Sequence, residues 1–228
     1  MSKYIGMNTI SADIIAERPE LLQEYTTYLI PYTDRKDLTA MEKVCIGNYQ
    51  DVHFWNTQKK RWSFFVPNNW EGKPWCYVIN SCCRNFEFYK LLSAEEKELV
   101  GFNIQNIDSA IQKSKTDKDY TLYRGVNNID WLKNSEVGES YIDYGFGSFT
   151  LDINKALEYT NVKNPIIFQL ELEKGANALY IDRAENEMLR PRNSPYRIIK
   201  QDKIYLIDED IEVTVYKIRV KEDESYVV

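Results

Sequence analysis

Histidine is almost missing from this chain: His53 is the only one among 228 residues. A Ser-His-Asp or Cys-His nucleophilic mechanism would have to run through that one imidazole, in "YQDVHFWN", and no nucleophile elbow accompanies it. The four cysteines, Cys45, Cys76, Cys82 and Cys83, contain no C-x-x-C pair, so with one histidine the material for a zinc site is thin and no metal is expected. Reduced, mostly buried thiols are the simpler reading. Glycine-rich phosphate loops are equally scarce. The nearest match, "YGFGS" at 144–148, lacks the third glycine and the lysine, which removes kinase and dinucleotide-fold readings.

No apolar run approaches the roughly 18 residues needed to span a bilayer, and "MSKYIGMNTISADII" lacks the continuous apolar core of a secretory signal. The expectation is a soluble, cytoplasmic protein, or one exported without such a signal. Positive charge is also in deficit, with a formal net charge of −6. That field repels phosphate backbones and anionic lipid, so neither a membrane nor a nucleic acid is the expected partner, and a monomer is expected.

With 43% apolar residues the chain can bury one substantial core, and no break in composition calls for a second domain. The organisation predicted is a single domain over 1–228, with a helical lobe over about 1–115 and a β-rich body over about 119–220. Helices are expected in "SADIIAERPELLQEYTTYL", capped by Ser11 and interrupted at Pro19, in "LTAMEKVCIGNYQDV", and over 94–115. In the last, Ser93 and Glu96 have capping-box spacing and Val100, Ile104, Ile107 and Ile111 form an apolar stripe expected to pack on a sheet. The aromatic stretch "RWSFFVPNNWEGKPWCYVINSCC" reads as a loop with short strands. From residue 119 the period changes. "DYTLYRGV", "GFGSFTL", "PIIFQLELE", "NALYI", "ENEML", "PYRII", "KIYLI" and "DIEVTVYKIRV" are short β-favouring runs, with one helical insert at "DINKALEY". Such a series predicts α+β architecture, helices packed on two mainly antiparallel sheets.

Three polar features stand at strand-like positions in this half: Arg124 in "LYRGV", Ser148 in "GFGSFT", and Glu185 with Glu187 in "ENEML". In an extended chain the two carboxylates would project the same way, roughly 6.5 to 7 Å apart. Each feature alone is weak evidence, since a strand arginine is usually solvated or paired, a serine beside glycine usually a turn, and alternating acids usually a wet sheet face.

Taken in order, they resemble the arginine-serine-glutamate class of mono-ADP-ribosyltransferases, the cholera-toxin-like group that includes bacterial exoenzymes. "TLYRGV" is similar to the arginine strand of that class, and "IDYGFGSFTLDINKALEY" to its Gly-Phe-x-Ser-Thr-Ser strand and following helix. "IIFQLELEKGANALYI" is similar to its next strands, and "ENEMLRPRNSPYRI" to its Glu-x-Glu strand and Leu-x-Pro-Arg turn. "MEKVCIGNYQDVHFWN" and "NIQNIDSAIQKSKTDKDYTLYRG" resemble its helical lobe, so that the likeness runs over about 38–220. It departs at Ser148-Phe149-Thr150, where the class commonly has Ser-Thr-Ser, and in the short "IDRA" before Glu185.

The resemblance implies a central NAD cleft. In it, Glu187 would bond the ribose 2′-hydroxyl and stabilise an oxocarbenium-like transition state, and Glu185 would draw a proton from an arginine acceptor. Relatives that modify asparagine carry Gln at that position. Arg124 would hold the pyrophosphate, Gly125 would leave backbone open to the nicotinamide amide, and Ser148 would orient Glu187. Tyr123, Phe149 and Thr150 would supply further NAD contacts. A histidine-tyrosine-glutamate transferase of the diphtheria type is disfavoured, because Arg124 fills the histidine's place. The implied activity is transfer of ADP-ribose from NAD to a protein arginine by a toxin or effector. The alternatives are an NAD glycohydrolase and an inactive binding module on the same scaffold.

Overall fold

The computed structural model describes residues 4–5, 29–50, 74–132, 134–206 and 211–221. The predicted helix starting at Ser11, His53 and the first half of the aromatic stretch lie outside them. Helix α1 spans Ala40–Gln50, α2 Trp75–Arg84, α3 Phe86–Lys90 and α4 Ala94–Gln112. Helix α4 begins at the predicted capping box: Ser93 Oγ accepts from Glu96 N at 3.2 Å, and the Glu96 carboxylate accepts from Ser93 N at 2.8 Å. A second box stands unpredicted at α1, where Glu42 N donates to Thr39 Oγ1 at 3.2 Å and Thr39 N to Glu42 Oε2 at 2.7 Å.

The α4 stripe is buried at Val100, Ile107 and Ile111. Its neighbours are mostly α1 and α2, with Leu179, Ile181 and Leu189 of the sheet closing the cluster. Two polar links run through this apolar contact. Asn48 donates to the buried Asn103 at 3.0 Å, and Glu42 accepts from Ser109 at 2.6 Å and from Lys113 at 2.7 Å. The second half of the aromatic stretch is helix, not the predicted loop. Trp75, Val78, Ile79 and Cys82 fall at i, i+3, i+4 and i+7 and are all buried, so one packed face outweighs the weak helix propensity of β-branched and aromatic residues.

The strands are β1 Tyr4–Ile5, β2 Tyr120–Val126, β3 Ser140–Asp143, β4 Gly147–Thr150, β5 Ile166–Leu172, β6 Leu179–Asp182, β7 Glu187–Arg190, β8 Ser194–Leu206 and β9 Ile211–Val220. Helix α5, Ile153–Leu157, lies between β4 and β5. The two-sheet expectation is corrected: the nine strands among the described residues belong to one mixed sheet, ordered β1-β8-β9-β5-β2-β4-β7-β6, with β3 also on β8. Pairing is continuous, and β5 with β9 is parallel. The segments "PYRII" and "KIYLI" are one strand, β8, bent by an irregularity between Ile198 and Lys200.

The connection between β3 and β4 shows why this sheet must curl. Three residues, Tyr144 to Phe146, join them. In a flat sheet β3, on the far side of β8, would stand five strand spacings from β4, roughly 24 Å. The link can reach at most about 14 Å. Curling encloses a core of Leu122, Phe149, Phe168, Leu170, Tyr196 and Ile218 on one face. The outer face of β5 and β9 carries a smaller cluster with Ala156 of α5.

Candidate active site

Strands β2, β4 and β7 are sheet neighbours, which places Arg124, Ser148 and Glu187 on three adjacent strands. Thr150 is directly opposite Glu187, and Ser148 opposite Leu189. Ser148 Oγ donates a short hydrogen bond to Glu187 Oε1. Strand alternation turns Phe149 and Met188 to the opposite face, into the core inside the curl.

Arg124 reaches the same region by another route. Strand β2 meets β4 at a single residue pair, Tyr123 with Thr150, after which the two splay apart. Arg124 is the next residue beyond that pair. Its guanidinium carbon lies 5.8 Å from the centre of the buried Phe149 ring, and its Nη1 donates to Asp143 Oδ2 at 2.7 Å. Asp143 ends β3 and also accepts from Arg84 of α2 at 2.9 Å and from Gly145 N at 3.1 Å. Burial alone would raise the Asp143 pKa, but the charges of Arg124 and Arg84 hold it below the usual carboxylate range. Gly145 lets these side chains come close, since a Cβ would stand 2.8 Å from Arg84 Nε and Asn80 Oδ1 and one of them would have to shift.

A residue absent from the expected set links the two halves. Tyr49 of α1 is buried, accepts from Asn80 Nδ2 at 2.8 Å, and packs edge-on against Phe146 at 5.9 Å. Asn80 Oδ1 in turn accepts from Phe146 N at 2.8 Å. Burial and then the Glu187 charge push the Tyr49 hydroxyl well above its ordinary pKa, and Arg124 opposes them. Tyr49 shares one buried cluster with Phe146, Leu179 and Leu189, so the helical lobe covers the strands that carry Ser148 and Glu187. In the sequence Tyr49 showed only as one of 17 tyrosines on a helical face.

Burial pushes Glu187 up to about 7, helped by the charges of Glu185 and Asp182 and opposed by the Ser148 bond. Ser148→Ala is therefore expected to raise it further, because a donor to the charged form is lost. Carbon-13 NMR of the Glu187 carboxyl would register the shift; an unchanged titration would mean that the hydroxyl does not stabilise the anion.

Glu185 corrects the picture of two carboxylates on one strand. It lies in the turn before β7, followed by Asn186 at φ 49°, in the left-handed region. Thr150 Oγ1 donates to the Glu185 carbonyl at 2.6 Å, Leu151 N to the Asn186 carbonyl at 3.1 Å, and Tyr180 Oη to Asn186 Oδ1 at 3.1 Å. The Glu185 carboxylate accepts from Tyr159 Oη at 2.8 Å, with Lys155 Nζ 3.9 Å away. Thr150 thus braces the turn. Tyr123 is buried against Ala156 on the α5 side, and Phe149 lies under Arg124, so neither side chain presents an open face. Gly125 is half-buried, and a Cβ there would stand 2.0 Å from the Ala156 carbonyl oxygen, so glycine admits α5 onto β2. Among the described residues no group of three His, Cys, Asp or Glu could hold a metal. No helix there is long and apolar enough to cross a membrane.

The ADP-ribosyltransferase exoenzyme family matches this chain over residues 78–225, well over half of it and including every element of the site except α1 and the start of α2. The chain belongs to that family. Its members are bacterial ADP-ribosyltransferase toxins that modify proteins, with NAD the typical substrate. Among solved structures, the ADP-ribosyltransferase toxin Plx2a from Paenibacillus larvae shares 21% identity, covers 89% of this chain and 96% of its own, and superposes with a TM-score of 0.58. The ADP-ribosyltransferase Vis, solved with agmatine, shares 15% identity over 92% of this chain and 87% of its own, with a TM-score of 0.60. The toxin BECa of C. perfringens, solved with NADH, shares 20% identity over 93% of this chain and 49% of its own, with a TM-score of 0.57. At these identities the likeness is one of fold. No curated protein matches.

Proposed function

We propose that this ADP-ribosyltransferase transfers a single ADP-ribose from NAD to the guanidinium of a protein arginine. The observation that carries the reading is the pair of carboxylates in different settings: Glu187, half-buried and held by Ser148, and Glu185, a third exposed in the turn two residues away and held by Tyr159. The N-glycosidic bond between nicotinamide and ribose C1′ breaks, its electron pair leaving with the nicotinamide nitrogen as a neutral group. Positive charge develops on the ribose, and the Glu187 carboxylate stabilises it while accepting from the 2′-hydroxyl. An acceptor guanidinium is protonated at any ordinary pH and is a poor nucleophile. Its nitrogen forms the new bond to C1′ as one proton passes to Glu185 and then to water, so one C–N bond is exchanged for another.

Arg124, held at Asp143 and backed by Phe149, supplies the cation for the pyrophosphate, and Thr150 holds the turn that carries Glu185. Gly125, Tyr123 and Phe149 serve this site as packing beneath it. Agmatine, a small guanidine and the compound bound in the Vis structure, is a convenient acceptor analogue for testing this class.

Incubation with NAD and agmatine, with nicotinamide and ADP-ribosylagmatine both quantified, tests the reading. The wild type should form ADP-ribosylagmatine, and Glu185→Gln should lower the ratio of transfer to hydrolysis by about a hundredfold. Nicotinamide release with no agmatine product would instead identify a glycohydrolase. Product on another side chain or on a nucleic acid would overturn the arginine assignment.

A further inference from the structure

We infer that Tyr159 is a positioning residue for the acceptor base, an inference that rests on the reading of Glu185 given above. Tyr159 follows α5, and its amide N donates to the Ala156 carbonyl at 3.1 Å. That turn is seated directly on β2, since a Cβ at Gly125 would lie 3.0 Å from the Tyr159 carbonyl carbon. The phenol then reaches across to Glu185 Oε1 at 2.8 Å. A rigid path therefore runs from the residue after Arg124, through α5, to the carboxylate at the far side of the site.

Glu185 itself sits in a turn, where no ladder partner fixes its rotamer. Thr150 secures its backbone but not its carboxylate. Among the described residues, Tyr159 is the one hydrogen-bond donor to that carboxylate, and Lys155 at 3.9 Å is engaged with Glu158 at 2.8 Å. Burial first and the bond to Glu185 second keep the Tyr159 hydroxyl protonated well above its ordinary pKa, so it remains a donor throughout the working range.

The consequence is stereochemical. With the phenol bonded to Oε1 the carboxylate is held in one orientation, so Oε2 faces an incoming guanidinium from a fixed position. The attacking nitrogen is aimed, and the proton it loses has a defined destination. Water, small and able to approach from several directions, depends much less on that aim. Tyr159 therefore favours transfer over hydrolysis without itself taking part in either.

Tyr159→Phe removes the hydroxyl and keeps the ring; the side chain is half exposed, so the variant should fold. With NAD and agmatine it should show a transfer-to-hydrolysis ratio about tenfold below wild type, carried by kcat for transfer. In the Glu185→Gln background the same change should add almost nothing, because the two residues act through one bond. A Phe variant whose ratio equals wild type, or whose loss is undiminished in the Gln background, overturns the inference while leaving Glu185 as the base. If Glu185→Gln itself leaves the ratio intact, the base assignment fails and the role of Tyr159 with it.

Discussion

Glu187→Gln is expected to lower NAD-dependent transfer and NAD hydrolysis together by about a hundred- to a thousandfold. The amide is the same size and can still accept from Ser148, so what is lost is negative charge beside the ribose at the moment positive charge appears there. Both reactions share that step, and both should fall, unlike the selective loss expected at Glu185. Glu187 is pushed up to about 7 by burial, so the free enzyme is only partly ionised at neutral pH. Wild-type kcat/KM for NAD should therefore rise with pH through an acid limb centred near about 7. The stability effect has the opposite sense. Between the ordinary carboxyl value of 4.5 and about 7 the folded protein binds a proton that the unfolded chain releases, so Glu187 makes folding less favourable as pH rises across that window. The Gln variant lacks this slope and should melt no lower than wild type at pH 8. An active Gln variant, or one that melts far below wild type at pH 8, would remove Glu187 from the role assigned to it.

The elements that were legible in the sequence are those whose signal is local. The α4 capping box and stripe needed only residues 93 to 111, and Arg124, Ser148 and Glu187 could be placed because each stands in a short run of distinctive order. What was illegible is set by distant partners. A run such as "WCYVINSCC" is helical because α1 and α4 bury Trp75, Val78, Ile79 and Cys82, and nothing within the run announces them. The number of sheets was misjudged for a similar reason, since antiparallel runs are compatible with two layers or with one curled sheet. The short β3–β4 link excludes a flat arrangement only once the pairing of β3 with β8 is known. The Glu185–Glu187 geometry failed at a turn boundary: period two assumes an unbroken strand, and Asn186 in the left-handed region breaks it. Asp143, Tyr49 and Tyr159 had no sequence signal beyond their types, because each acquires its role from a partner at least 19 residues away.

The other large effect expected is on the helical lobe. Glu42 is 2% exposed, yet its carboxylate accepts from Thr39 N, Ser109 Oγ and Lys113 Nζ. Burial acts to raise its pKa, and those donors, Lys113 first, outweigh it and bring it down to about 2. Removing one member of such a network leaves the others buried and unanswered, whereas Lys113, 39% exposed, can turn to water. Glu42→Ala should therefore cost about 3 kcal/mol, somewhat below a fully buried pair, and lower Tm by roughly 6 to 12 °C. The depressed pKa gives a contribution present above 4.5 and lost as pH falls toward about 2, so wild type and variant should converge in acid, opposite in sense to Glu187. Because α1 also carries Tyr49 over the site, loosening it admits water above Glu187. The acid limb of kcat/KM for NAD should then move below 7, toward the ordinary carboxyl value. Thermal melts at pH 7 and pH 3 beside pH-rate profiles would test both parts: equal Tm loss at the two pH values would contradict the linkage, and an unmoved limb would show that α1 does not keep the site dry.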